Sequence, residues 1–157
     1  MFELSTTGVP AVDARADFAR ARRAHLRARA RDWLTAGRRR PRAPKTLGDT
    51  AAVPNGAARP EVIPLKAIVG SVEPSISFDA RFRPASEAVR ARWERVALAH
   101  RRGIPLPPIA VRRSADGYYV VDGRHRVSVA LALGHRDIDA WVTDVHSPVL
   151  PAPETAS

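Results

Sequence analysis

The chain has no cysteine, which excludes a disulfide framework, a thiolate metal site and a thiol nucleophile. No apolar run approaches the roughly 20 residues that a membrane-spanning helix needs. The start, Met1 to Gly8, lacks the basic and apolar regions of a secretory signal. Together these absences predict a cytoplasmic protein without a membrane partner. Lysine is almost missing as well: of 26 basic residues, all but Lys45 and Lys66 are arginine. Zinc-finger spacing and a paired-helix recognition motif are absent, so no local motif predicts site-specific DNA reading.

What the chain does have is an uneven positive charge. Its formal net charge is +10; residues 1–60 carry 13 basic and 5 acidic residues, whereas residues 61–157 carry 13 and 11. The second part is nearly neutral and the first strongly basic, which suits nucleic acid or an acidic surface. At 45% hydrophobic and 27% charged, the 157 residues can form one domain with a modest core plus an extension.

Helical periodicity runs from about Val12 to Ala36, with Phe18, Ala21, His25 and Trp33 near one face, Asp13 and Asp17 near the start and Gly37 as the stop. Its polar surface carries Arg15, Arg20, Arg22, Arg23, Arg27, Arg29 and Arg31. Two readings of that surface stay open. In one, Arg22, Arg23 and Arg27, continued by Arg38, Arg39 and Arg40, form a nucleic-acid arm whose phosphate contacts release counterions. In the other, the helix is solvated and docks through Phe18, Leu26, Trp33 and Leu34. Residues 1–40 are thus a basic helical extension. Pro41, Pro44, Gly48, Pro54, Asn55-Gly56 and Pro60 mark residues 41–60 as a linker. A domain is expected over 61–145 and a proline-rich tail over 146–157.

Within the domain, Val62 to Leu65 and Ala67 to Val69 read as strand, with Pro64 confined to an edge or bulge. The connection Gly70 to Arg83 is long enough to be a binding loop and holds Phe78, Asp79, Arg81, Phe82 and Arg83. Pro84 suits the first turn of a helix that carries Trp93 in its core face and ends at Gly103. Ile109 to Arg113 and Tyr118 to Val121 form a hairpin around Asp116-Gly117, and Ile138 to Val142 returns as a strand. The expected fold is a small α+β domain, a mixed sheet with helices on one side, preceded by an Arg-rich helix.

The period switches from strand to helix at Asp122-Gly123. Behind Tyr118 to Val121, the residues Val127, Ala130, Leu131 and Gly134 recur at i, i+3, i+4, i+7. At the switch lie Gly123, Arg124, His125 and Arg126, against a helix start whose first N–H groups lack intrahelical partners and favour an anion. His125 has an ordinary pKa near neutrality and suits phosphate donation or proton transfer. Asp122 suits helix capping, Mg²⁺ or the role of a base.

Pro107-Pro108-Ile109-Ala110-Val111, Asp116 to Val121 and Asp122-Gly123-Arg124-His125-Arg126 together resemble the ParB N-terminal and sulfiredoxin superfamily, over about Glu61 to Val145. The resemblance implies a nucleoside triphosphate, CTP or ATP with Mg²⁺, held by Gly123, Arg124, His125 and Arg126, with Arg126 as the motif arginine. It further implies that Arg81 or Arg83, from the loop after the first strand, is a second phosphate clamp. Sulfiredoxin chemistry needs a thiolate where this chain has Arg124 and is excluded. ParB proteins continue into helical DNA-reading domains, whereas 12 residues follow Val145, so operator recognition of that type is not expected. The leading expectation is a nucleotide-binding regulatory or accessory module associated with DNA. The alternatives are a small-molecule kinase or nuclease using Asp122 and His125, with Asp79 and Glu94 as further carboxylates, and a protein acting through its basic helix alone. A homodimer is left open.

Overall fold

The computed structural model describes residues 6–36, 45–48 and 53–146. The first helix, α1, spans Pro10–Ala36. Proline at its first position has the helical φ in place and no N–H to leave unpaired. Thr7 closes the start, its backbone N–H and its hydroxyl both donating to Asp13 Oδ1 at 2.8 Å. There follow β1 (Lys45–Thr46), β2 (Val53–Pro64), β3 (Ile68–Ser71), α2 (Arg90–Arg101), β4 (Ile109–Ser114), β5 (Gly117–Asp122), α3 (Arg124–Ala132) and β6 (Asp137–His146). The six strands form one mixed sheet in the order β1-β3-β5-β4-β6-β2. Pairs β1/β3, β3/β5 and β4/β6 are parallel, and β4/β5 and β2/β6 are antiparallel. The architecture is α+β, as composition and periodicity predict.

The layers follow from which side chains are apolar. Ile63, Ile109, Val111, Val120 and Val142 of the sheet pack against Val127 and Ala130 of α3, and all seven are essentially buried. Val129, on the other side of α3, joins Trp93 and Ala97 of α2 and Ala14, Phe18 and Ala21 of α1 in a second core. The helices therefore stack outward from the sheet in the order α3, α2, α1. Phe18 meets Trp93 edge to face at 5.5 Å, and burying a side chain of that size contributes about 2–3 kcal/mol. Trp93 Nε1–H donates to Ser128 Oγ at 2.8 Å, so Ser128 supplies the acceptor that a buried indole requires.

Three expectations change. The docking face of α1 is the one the periodicity suggests only as far as His25. Ala14, Phe18, Ala21 and His25 are buried, but Leu26, Trp33 and Leu34 stand exposed. Asp13 and Asp17 near the helix start are buried; Arg101 of α2 binds Asp17 through Nε at 2.6 Å and Nη2 at 2.8 Å and approaches Asp13 at 3.7 Å. The extension is thus welded to the domain.

The expected linker is in part strand. Residues 53–60, with Pro54, Asn55-Gly56 and Pro60, pair with β6. They do so as the sheet edge, where a missing N–H costs no ladder bond, and through ions: Asp144 of β6 accepts from Arg59 at 2.9 Å and from Arg113 of β4 at 2.7 Å, and Arg113 reaches Glu61 at 3.3 Å. Those donors push the Asp144 carboxyl down to about 2. The remainder of the linker, 41–44 and 49–52, and the tail beyond His146 lie outside the described residues. Finally, Pro84 does not open α2. It is buried in a bridge with Phe78, and the helical path starts at Ser86, whose hydroxyl accepts the Ala88 N–H, through one 3-10 turn at Glu87–Val89.

Candidate functional site

Gly123 joins β5 to α3 with φ +108, a conformation that L side chains rarely adopt. A Cβ there would lie 2.5 Å from Ile109 Cγ2 and 2.9 Å from Ile109 Cβ. The glycine lets backbone pack on the β4 core, and this is the close approach that fixes its identity. Asp122 does not cap the helix, and α3 has no side-chain cap at all. Its first backbone donors therefore border an open cleft of about 370 Å³, within the range of small-ligand pockets.

Arg126 is not the free phosphate arginine that the motif position implies. Its Nη1 donates to the carbonyls of Pro107 and Pro108 at 2.5 and 2.7 Å, and its Nη2 to Asp122 Oδ2 at 2.8 Å. Arg126 clamps the extended segment before β4 to the start of α3. Arg124 is the more available partner: its contacts are long, 3.5 Å to the Glu73 carbonyl and 3.9 Å to the Glu73 carboxylate, and its Nε is buried without a hydrogen bond. Arg92 of α2 lines the same cleft, with Ser75, Ser77 and Phe78 from the long loop. His125 meets the Phe78 ring edge-on at 5.1 Å. Burial, with Arg92 and Arg124 beside it, holds the imidazole below its ordinary pKa and hence neutral at neutral pH.

Sequence reasoning expected a binding loop at Gly70 to Arg83 and named Phe78 in it, but it missed Arg92 and singled out neither Ser75 nor Ser77. Arg92 carried one signal, its i, i+4 spacing from Val96, which also lines the cleft. The serines carried none, since an irregular loop has no period to read.

Arg81 and Arg83 are elsewhere. Arg83 Nε donates to Asp79 Oδ2 at 2.7 Å, and the same oxygen meets His25 Nδ1 of α1 at 2.9 Å. Asp79 Oδ1 accepts the backbone N–H groups of Arg81 and Arg83, both at 2.9 Å. Although burial opposes ionisation of Asp79, the hydrogen bonds from His25 and Arg83 win and hold its pKa below the usual range. Arg81 faces a separate groove beside the distal half of α1.

The two arginine-bearing segments share a spacing: Asp79-Ala80-Arg81-Phe82-Arg83 and Asp122-Gly123-Arg124-His125-Arg126. In each, the aspartate pins the arginine four residues on and leaves the arginine two residues on without a close carboxylate.

The carboxylates proposed for catalysis are dispersed. Asp122 is the only one lining the cleft among the described residues; Glu94 pairs with Arg90 at 2.8 Å, and Asp79 is enclosed by His25 and Arg83. No group of three or more metal-ligating side chains occurs among the described residues. Of the basic-arm residues, Arg22 turns inward, with Nη1 at 3.5 Å from the Pro84 carbonyl and Nε at 3.6 Å from Glu87, while Arg23 and Arg27 are exposed. Arg38, Arg39 and Arg40 lie outside the described residues. No described helix is long and apolar enough to cross a membrane. No protein-family model, curated protein or solved structure matches the chain.

Proposed function

We propose that the cleft at the start of α3 binds the phosphates of a nucleotide, CTP or ATP, and that the protein is a binding module of the ParB and sulfiredoxin-like kind. The observation that carries this reading is the convergence of Arg92, Arg124 and His125 on the uncapped first turn of α3, in a cleft of about 370 Å³. Each charge-assisted hydrogen bond to phosphate is worth about 1.5–3 kcal/mol. Two of them with backbone donors support binding in about the micromolar range after ordering costs. Arg124 and the helix start hold phosphate, and Arg126 positions both by fixing the helix to the Pro107-Pro108 segment.

Mg²⁺ enters with the triphosphate in this reading, because phosphate-bound Mg²⁺ needs only one or two protein carboxylates. Asp122, the one carboxylate lining the cleft among the described residues, would meet it, with Oδ2 engaged by Arg126 and Oδ1 remaining. With Oδ2 held by Arg126 and no second carboxylate lining the cleft among the described residues, a switch or accessory role is favoured over rapid turnover.

Calorimetric titration with CTP, ATP, GTP and UTP, each with Mg²⁺, tests the reading. One nucleotide should bind to the wild type and lose about tenfold or more in affinity in Arg124→Ala. Silence toward all four nucleotides removes it. Phosphorus NMR of the same mixtures separates binding from phosphoryl transfer or hydrolysis.

A further inference from the structure

Beyond His25 the helix α1 leaves the domain, and three observations converge there. First, a groove of about 310 Å³ runs between its distal half and the Asp79–Arg83 loop, lined by Arg29, Arg31, Asp32 and Arg81 with His25 and Asp79 at its base. Second, its charge is uncommitted. Arg83, Asp79 and His25 satisfy one another, whereas Arg29, Arg31 and Arg81 enter no ion pair among the described residues, and Asp32 is the one other carboxylate lining the groove. Third, large apolar side chains near the end of α1 stand in water: Trp33 is 68% exposed and Leu34 75% exposed. Trp33 lies one helical turn beyond Arg29, on the same side of α1, so indole and guanidinium are neighbours.

We propose that this groove binds a single-stranded nucleic acid, with Arg29, Arg31 and Arg81 on successive phosphates and Trp33 as a platform for a base. Guanidinium forks match phosphate oxygens in pairs, and a flat exposed ring beside them gives the unpaired base a face to stack on. A duplex hides its base faces, and a second copy of this chain would set arginine against arginine. The site is distinct from the α3 cleft. It also accounts for an arginine that the family resemblance puts on the nucleotide and that the fold turns away: Arg81 serves the strand.

The experiment is a titration of the full chain with fluorescein-labelled oligothymidylate of about 15 nucleotides, the size of one compact single-strand site, over a salt series. Anisotropy reports binding and tryptophan quenching reports stacking. The wild type should bind with a steep salt dependence. Trp33→Ala should weaken binding about tenfold. The triple variant R29E/R31E/R81E should weaken it more and flatten the salt slope by about 2, at roughly 0.7 for each phosphate that is no longer neutralised. All four side chains are exposed, so an unchanged circular-dichroism melt confirms that the variants fold. Absence of binding, or a triple variant with the wild-type slope, overturns the proposal. Equal affinity for a duplex of the same length overturns the single-strand assignment, and displacement by polyglutamate at matched charge overturns the nucleic-acid assignment.

Discussion

The segments 79–83 and 122–126 share the pattern Asp-x-Arg-x-Arg and fold in opposite ways. At 79–83 the aspartate is 8% exposed and gathers two backbone N–H groups, Arg83 and His25 around itself. The chain closes into a loop, with Phe82 at φ +57 and Pro84 forbidding a helix behind it. At 122–126 the aspartate side chain is 70% exposed and holds Arg126 alone, Gly123 supplies the positive φ, and a helix starts at Arg124. What the two folds have in common is a division of labour between arginines. In both segments the second arginine is a structural clamp, spent on an aspartate and, for Arg126, on two carbonyls. The first arginine is left without a carboxylate closer than 3.9 Å among the described residues, and Phe78 and Asp79, adjacent in sequence, face the cleft and the groove respectively.

The largest effect that breaks this pairing comes from outside both segments. Arg101→Ala strips Asp17, a fully buried carboxylate, of its bidentate partner and should cost about 3 kcal/mol in urea unfolding. The groove should be lost with the undocked α1 while nucleotide binding in the cleft survives; simultaneous loss of both would mean the two regions fold as one.

Next in size is Gly123→Ala. Strain at φ +108 together with the clash on Ile109 should destabilise by about 2 kcal/mol or more, read as a lowered melting midpoint. Arg126→Ala should cost about 1–3 kcal/mol of stability, because Asp122 and two proline carbonyls lose their donor. Arg124→Ala should leave the melt nearly unchanged and remove ligand affinity instead. A reversed pattern, with Arg124 carrying stability and Arg126 only affinity, would restore the motif arginine to the phosphate.

The smallest effect is protonic. His125 and His100 both have pKa values below the ordinary 6.5, from burial first, then from Arg92 and Arg124 for His125 and from His135 for His100. The folded state therefore holds fewer protons than the unfolded one, and their contribution to stability, complete above about pH 6.5, is lost as the pH falls from there through their lower folded values. A phosphate beside His125 favours the imidazolium, so nucleotide binding near pH 6 should take up protons. Calorimetry in two buffers of different ionisation enthalpy measures this. Strand binding in the groove should show no uptake traceable to His125, since that ring lines only the cleft, and a His125→Gln variant checks the assignment.

Much of the fold was legible because its causes are local. The 3.6-residue period of Phe18 and Ala21 and of Trp93 and Ala97, the alternation of Ile109 with Val111, and the turn at Asp116-Gly117 each act over a few residues. So does the switch at Asp122-Gly123, which places a positive φ and an anion-suited helix start in one stretch of chain. Charge, by contrast, has no period. Whether Asp13 and Asp17 are solvated or buried depends on Arg101, more than 80 residues on, and whether Arg126 or Arg124 meets a ligand depends on where the Pro107-Pro108 carbonyls fall.

The strand role of residues 53–60 was hidden for the same reason. Proline and glycine weaken a strand taken by itself, and only the edge position beside β6, with Arg59 and Arg113 on Asp144, makes the pairing favourable. The sequence by itself determined the elements whose period is local, from α1 to β6 outside the linker, and the chemistry available at their junctions. Tertiary structure decided which charges are spent on one another and which remain, because an ion pair is set by distance in space and burial, neither of which is written along the chain.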